Sequence, residues 1–292
     1  MPGSNALTNL TNVKTYMDIA SSDTDGVLDR LIDQITARIE RIVDRKFKAR
    51  DYRWWLTTNQ ERLLTVPQWP LIYVNRVAHG ALNAMSVDYS GAGIRATIQV
   101  FRDDTGETTG VRLVSYSSSG VRTTSELTDA DNGSVNAMVT AIDGVSGWDA
   151  TELVNVPTAD LAPTGGMDAK NQTAYFTYPD QDDSDYRVDY DTGQISLSFT
   201  NAFDAVWRED RLPITYQGLL VEARAGYETI PDDIELTAIE MVSSIFSSRS
   251  VNQNIASESI GDYSYSLSSV PMNEQQLARL ETYKAFKVGG VA

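Results

Sequence analysis

Apolar positions early in the chain recur with a helical period. Leu28, Leu31, Ile32, Ile35, Ile39, Ile42 and Val43 fall at steps of three and four residues, which puts them on one face of an α-helix. The pattern predicts a helix over residues 24–48. Asp23, Thr24 and Asp25 stand at its positive end, and Arg41, Arg45, Lys46 and Lys48 lie in its last turns, each sign suited to the helix dipole. A shorter helix carrying Leu10, Val13, Tyr16 and Met17 is expected before it, capped by Thr8 or Thr11. From residue 51 the period changes to two. Tyr52, Trp54 and Leu56 alternate with their neighbours, and Leu63, Leu64 and Val66 follow the turn-like Thr57-Thr58-Asn59-Gln60. Pro67 and Pro70 interrupt the pattern before Leu71-Ile72-Tyr73-Val74.

The middle of the chain is richer in Gly, Ser, Thr and Asp. Short strand-like runs occupy Ala96–Phe101, Val111–Tyr116 and Ala174–Tyr178, with one helix at about 135–142 opened by Asp131-Asn132-Gly133-Ser134. Tyr186–Tyr190, Asp191-Thr192-Gly193 and Gln194–Phe199 form a hairpin pattern. A last strand is expected over 214–226. Pro231, flanked by Asp232 and Asp233, then opens a helix burying Ile234, Ala238, Met241, Val242, Ile245 and Phe246. A polar loop from Ser250 to Ser269 leads to a final helix at about 273–286, where Leu277, Leu280 and Tyr283 are spaced by three. No fixed period marks a repeat protein.

Charge separates the middle from the ends. The chain carries a formal −16, with 6 basic and 19 acidic residues in 81–205 alone. That is the reverse of the basic stripe used to grip nucleic acid. There is no cysteine, so disulfides, thiolate zinc sites and cysteine nucleophiles are excluded. This composition fits assembly in a reducing cytoplasm. No signal-peptide pattern opens the sequence, and no run of eighteen apolar residues predicts a membrane span.

Candidate chemistry is sparse. His79 is the sole histidine, beside Gly80, with no Gly-x-Ser-x-Gly nucleophile motif near it. Asp180, Asp182, Asp183 and Asp185 form the strongest metal candidate. Counted from Asp180 as a calcium loop, the glycine expected at the sixth place is Asp185, and the twelfth place holds Asp191 rather than glutamate. A solvated acidic loop is the expected reading. Gly91-Ala92-Gly93 lacks the rest of a phosphate-cradling motif. Forty acidic residues make chance carboxylate pairs common. No catalytic residue, cofactor or firm metal site is expected. Of Trp54-Trp55 and Trp69, core and subunit contacts are the expected roles, with one of the Trp pair entering the core and the other capping an interface.

Three stretches resemble the head–tail connector (adaptor) proteins of tailed phages. They are the long helix ending in Arg45-Lys46-Phe47, the stretch Ala225-Gly226-Tyr227-Glu228-Thr229-Ile230-Pro231-Asp232-Asp233, and Ser257-Glu258-Ser259-Ile260-Gly261-Asp262-Tyr263-Ser264 before the final helix. Their order and spacing cover about 1–77 and 214–288. Small family members are mostly helical, while some relatives carry a β-rich insertion, which Ser134–Ile142 followed by Gly147-Trp148 resembles. The resemblance implies an α+β fold: a helical connector core from residues 1–80 and 206–292, with an acidic β-rich domain inserted at 81–205.

The resemblance also implies a role in the virion. The chain would be one subunit of a homo-oligomeric ring of about twelve copies, in the neck between head and tail. It would dock under the portal protein, extend the DNA channel without binding DNA specifically, and offer a platform to a downstream neck or tail protein. Residues expected at the subunit or portal interface are Ile260, Gly261, Asp262, Tyr263, Tyr265, Tyr283, Phe286, Val288, Gly289 and Gly290. They belong to the 250–270 loop, the last helix and the apolar tail. A β-rich carbohydrate-binding or host-adhesion protein of the virion is the alternative, and a carboxylate-pair hydrolase a third reading.

Overall fold

The computed structural model of the chain describes residues 2–58, 63–183, 186–197, 215–248, 257–260, 263–266 and 272–284. It divides into two compact units, residues 1–49 with 226–292, and residues 50–225. Helices are numbered along the chain: α1 (Leu10–Tyr16), α2 (Asp25–Val43), α3 (Val135–Asp143), α4 (Asp232–Ser248) and α5 (Glu274–Glu281).

In the first unit, helices from both ends of the chain share one interior. Leu28, Ile32, Ile35 and Ile39 of α2, Ile234, Ala238, Met241 and Val242 of α4, and Leu280 of α5 are buried together, with Leu7, Val13 and Phe47. These positions follow the three- and four-residue spacing that makes each helix amphipathic. Local chemistry fixes the helix ends. The Asn9 side chain accepts from the Asn12 N–H to start α1. Asp44 closes α2 in the left-handed conformation, and the Arg45 N–H reaches back to the Glu40 carbonyl. Asn273 and Gln276 form a reciprocal capping box at α5. Glu235 in the first turn of α4 accepts from Thr8 Oγ1 and Asn12 Nδ2 at 2.9 and 2.7 Å, tying α1 to α4.

The second unit contains four antiparallel sheets. The first orders β1 (Arg50–Thr58), β14 (Thr215–Ala225), β3 (Leu71–His79) and β11 (Gln181–Asp183). A small sheet of β12 (Tyr186–Asp189), β13 (Gln194–Leu197) and β2 (Leu64–Thr65) lends Leu64 and Ile195 to the cluster on one of its faces. There they meet Tyr52, Trp54, Leu219, Val221 and Ala223. Its other face buries Trp55, Leu220 and Ala78 with Ala162. Covered on both sides, β14 therefore holds three consecutive buried residues, Leu219, Leu220 and Val221.

The other two sheets face one interior. One orders β10 (Ala174–Tyr178), β4 (Leu82–Tyr89) and β8 (Trp148–Glu152); the other orders β7 (Arg122–Thr128), β6 (Thr108–Tyr116), β5 (Arg95–Arg102) and β9 (Met167–Asp168). Met85, Val87, Ile98, Val100, Leu113, Trp148 and Phe176 fill the space, joined by Val135, Met138 and Ile142 of α3. Ser134 caps α3 by accepting from the Ala137 N–H.

The expected fold class is overturned. The chain is β-rich, and residues 1–80 with 206–292 do not make a helical connector core around an inserted 81–205 domain. Residues 50–58, 71–79 and 215–225 are strands, and they pair with one another rather than with helices: β14 lies between β1 and β3 in register from Arg50↔Ala225 to Leu220↔Ala78. Each of these strands satisfies its backbone in that sheet, which is why the segments leave the helical unit. The polar stretch expected as a loop over 250–269 also contains structure, a hairpin of β15 (Ser257–Ile260) and β16 (Tyr263–Ser266).

At the edge of the helical unit, Gly226 adopts φ +109°, and a Cβ there would lie 2.8 Å from the Phe47 carbonyl oxygen and 3.0 Å from the Ala49 backbone. The strained φ and the contact with rigid backbone act together. Gly226→Ala is expected to destabilise the protein by about 1–3 kcal/mol, read as a lower urea midpoint. An unchanged midpoint would contradict this close approach.

Candidate functional site

Cross-strand registry in the first sheet of the β unit builds a ladder of rungs on one face. Trp55, Leu220 and Ala78 form an apolar rung, and the next holds Arg53, Glu222 and Arg76. One step on, Asp51 pairs with Arg224 at 3.1 Å and accepts from the Tyr73 hydroxyl, also at 3.1 Å. The middle rung is the densest group of charges. Arg53 Nη2 meets Glu222 Oε1 at 2.7 Å, and Arg53 and Arg76 share Asp160 at 3.4 and 3.2 Å. Arg76 Nε donates to Asp182 at 2.7 Å. Asp160 arrives on the one-turn helix Thr158–Asp160 and is only 13% exposed, so the two guanidinium groups replace the water it loses. Nearby, burial pushes the Asp129 carboxyl up, against the pull of the Arg53 charge.

This network has the chemistry of a cross-tie. Each carboxylate in it faces an arginine, whose guanidinium pairs with its oxygens. Asp182, one of the four metal candidates, is committed to Arg76. Asp180 packs against Gly80, where a Cβ would stand 2.0 Å from its Oδ1. Asp183 lies on β11, opposite Val77, and Asp185 lies outside the described residues. Among the described residues no group of three or more His, Asp or Glu side chains is arranged to hold a metal ion. His79 closes β3 opposite Gln181. Trp54 and Trp55 are both buried, on opposite faces of β1, so the expectation that one of the pair caps an interface fails. The sheet is covered on both sides, and alternation alone carries both rings inward.

A second cluster lies in the helical unit and gathers residues distant in the chain. Arg45 is 3% exposed. Its guanidinium carbon stands 5.5 Å from the Phe47 ring centroid and 5.7 Å from that of Tyr227. Its Nη1 reaches the Tyr283 carbonyl at 3.5 Å. The three rings pack in turn: Phe47 stacks with Tyr227 at 6.3 Å and meets Tyr283 edge-on at 5.7 Å, and Tyr227 and Tyr283 are 6.4 Å apart. The Tyr283 hydroxyl donates to both carboxylate oxygens of Asp233, at 2.9 and 3.0 Å. Backbone bonds complete the joint, with Tyr227 N–H donating to Phe47 O at 2.7 Å and Ala49 N–H to Tyr227 O at 3.0 Å. A buried arginine is costly to desolvate, and the ring faces with the carbonyl offset that cost.

Of the residues expected at an interface, Tyr283 belongs to this cluster. Ile260, Tyr263 and Tyr265 lie on the β15–β16 hairpin, where Ile260 pairs with Tyr263 and Tyr265 with Glu258. Gly261, Asp262, Phe286, Val288, Gly289 and Gly290 lie outside the described residues. No local signal marks the buried role of Arg45, nor the pairing of Arg53 and Arg76 with Asp160. The alternation of charged and apolar residues along Asp51-Tyr52-Arg53-Trp54 and Val221-Glu222-Ala223-Arg224 is the only hint of the ladder.

No family model matches the chain, and no curated protein does. Among solved structures, it is similar to a chain in "Neck of empty GTA particle computed with C6 symmetry", at a TM-score of 0.40 and 11% identity, over 98% of this chain and 93% of that one. So distant a likeness does not by itself establish a shared fold.

Burial, then the hydrogen bond and charge of Asp233, push the Tyr283 hydroxyl up from 10.0 to about 12. The folded protein thus keeps this proton over a range where the unfolded chain has released it. Tyr283 contributes its full stabilisation below pH 10, and the contribution falls as pH rises from 10 to about 12. Tyr283→Phe removes that dependence. Urea midpoints measured across this range should fall more steeply for the parent than for the variant, and parallel curves would contradict the assignment.

Proposed function

We propose that the chain is a structural ring subunit in the neck of a tailed-phage particle, a head–tail connector and not an enzyme. The observation that carries this reading is where the family-like stretches meet. Arg45 and Phe47 from the first, and Gly226, Tyr227 and Asp233 from the second, form one cluster that Tyr283, two residues past α5, completes. Phe47 and Tyr227 are 180 residues apart, and the likeness of the two stretches to connector proteins lies in residues that hold each other. Motifs of that kind are expected from a shared scaffold rather than from shared catalysis.

Charge supports the same reading. Residues 50–225 hold 13 basic and 24 acidic side chains. A conduit with an acidic surface repels the phosphates passing it, so DNA moves without adhering. The subunit would dock under the portal, extend the channel and present a platform to the next neck or tail protein.

Sedimentation equilibrium of the pure protein, alone and with a portal, tests the proposal. A closed oligomer, or association with the portal, is the expected result. A protein that stays monomeric at high concentration, ignores the portal and binds glycans would replace this reading with the adhesion one.

A further inference from the structure

Two exposed helix faces in the helical unit complement each other in charge. On α2, Arg30, Gln34, Ala37 and Arg41 fall within one narrow stripe, opposite the buried Leu28, Ile32, Ile35 and Ile39. Arg30, Ala37 and Arg41 are exposed, and neither arginine pairs with any acid among the described residues. The two exposed guanidinium groups flank the small Ala37 on this stripe. On α5, Glu274, Leu277, Ala278 and Glu281 are all exposed and share a face. Leu277 is 42% exposed, although Leu280, three residues on, is fully buried. Neither glutamate has an ion-pair partner among the described residues, whereas Arg279 on the same helix is held by Glu240 at 3.3 Å.

We infer that α5 of one copy docks on α2 of the next, with Leu277 seated at Ala37 and Glu274 and Glu281 paired with Arg41 and Arg30. Lengths agree with such a contact. The arginines are about 16 Å apart along α2 and the glutamates about 10 Å along α5, at 1.5 Å per residue. Long arginine side chains lean inward to close that difference, and their planar forks suit carboxylates. Small Ala37 leaves the gap that a leucine needs. The two faces are different surfaces of one subunit, so the contact is head-to-tail, the type that generates rings. A second copy is preferred over DNA as the occupant because only a protein surface uses the apolar centre, and because the whole chain repels phosphate. The inference rests on the ring reading and names its interface.

Charge exchange tests it. The variant R30E/R41E and the variant E274R/E281R are each expected to associate at least tenfold more weakly than the parent protein in sedimentation equilibrium. Mixed in equal amounts they should recover association, because each then offers the face the other lacks. Circular dichroism and thermal melts check that each variant is folded. The neutral pair R30Q/R41Q should show weaker association and less sensitivity to salt. A monomeric parent protein would sink the ring reading and this interface together. A parent that associates, with R30E/R41E associating equally, would overturn the interface alone. So would two weakened variants that fail to recover on mixing, or a loss of retention on double-stranded DNA by R30E/R41E with association intact.

Discussion

A buried arginine holds the two ends of this chain together. Arg45 sits where α2 ends, and Phe47, Tyr227 and the Tyr283 carbonyl around it help offset the cost of burying its charge. Those partners come from both sides of a 176-residue segment, residues 50–225, which folds as its own compact unit. Closing so long a loop carries an entropic cost that grows slowly with length. That cost is met by the shared interior of α1, α2, α4 and α5 and by the joint at Phe47, Ala49 and Tyr227. Aromatic pairs add about 0.5–1.5 kcal/mol each beyond area burial. Gly226 matters because its own backbone passes against the Phe47 carbonyl and Ala49.

The β unit uses a different device. Its first sheet packs apolar side chains on both faces around β14, and the half-buried charges beside them are paired. Arg53, Glu222 and Arg76 pair along one rung, with Asp160 and Asp182 closing the ends. The arrangement fixes strand register, since a slip of one residue would carry Arg53 and Glu222 to the opposite face, among Trp54 and Val221. These charges thereby fix the register of β1, β14 and β3.

Local pattern made the elements legible. The spacing of Leu28 to Val43 anticipates α2 at Asp25–Val43, and Pro231 with its acids marks the start of α4. Alternation likewise marks β5, β6, β10 and the β12–β13 hairpin. Pairing was not legible, because strand partners are chosen by long-range burial: nothing in 215–225 names 50–58 and 71–79 as its neighbours. The wrong fold class follows from that gap. The run Leu219-Leu220-Val221 was the available clue, since three consecutive apolar residues suit a strand buried on both faces. Of the candidate site, the spacing of Leu277, Leu280 and Tyr283 marked Tyr283 as a packing residue, but not its partners Phe47 and Tyr227. The role of Arg45 was not legible, because a basic residue at a helix C-terminus normally faces water.

The central claim is that the last helix and the end of α2 form one cooperative structure through this arginine-centred cluster. Native-state amide hydrogen exchange measures this directly. If the claim holds, amides in the last turn of α2, at Tyr227 and at Leu280 exchange through one shared opening, with a common free energy. Exchange of α5 amides at the rate of a free peptide, while α2 and α4 stay protected, would contradict it.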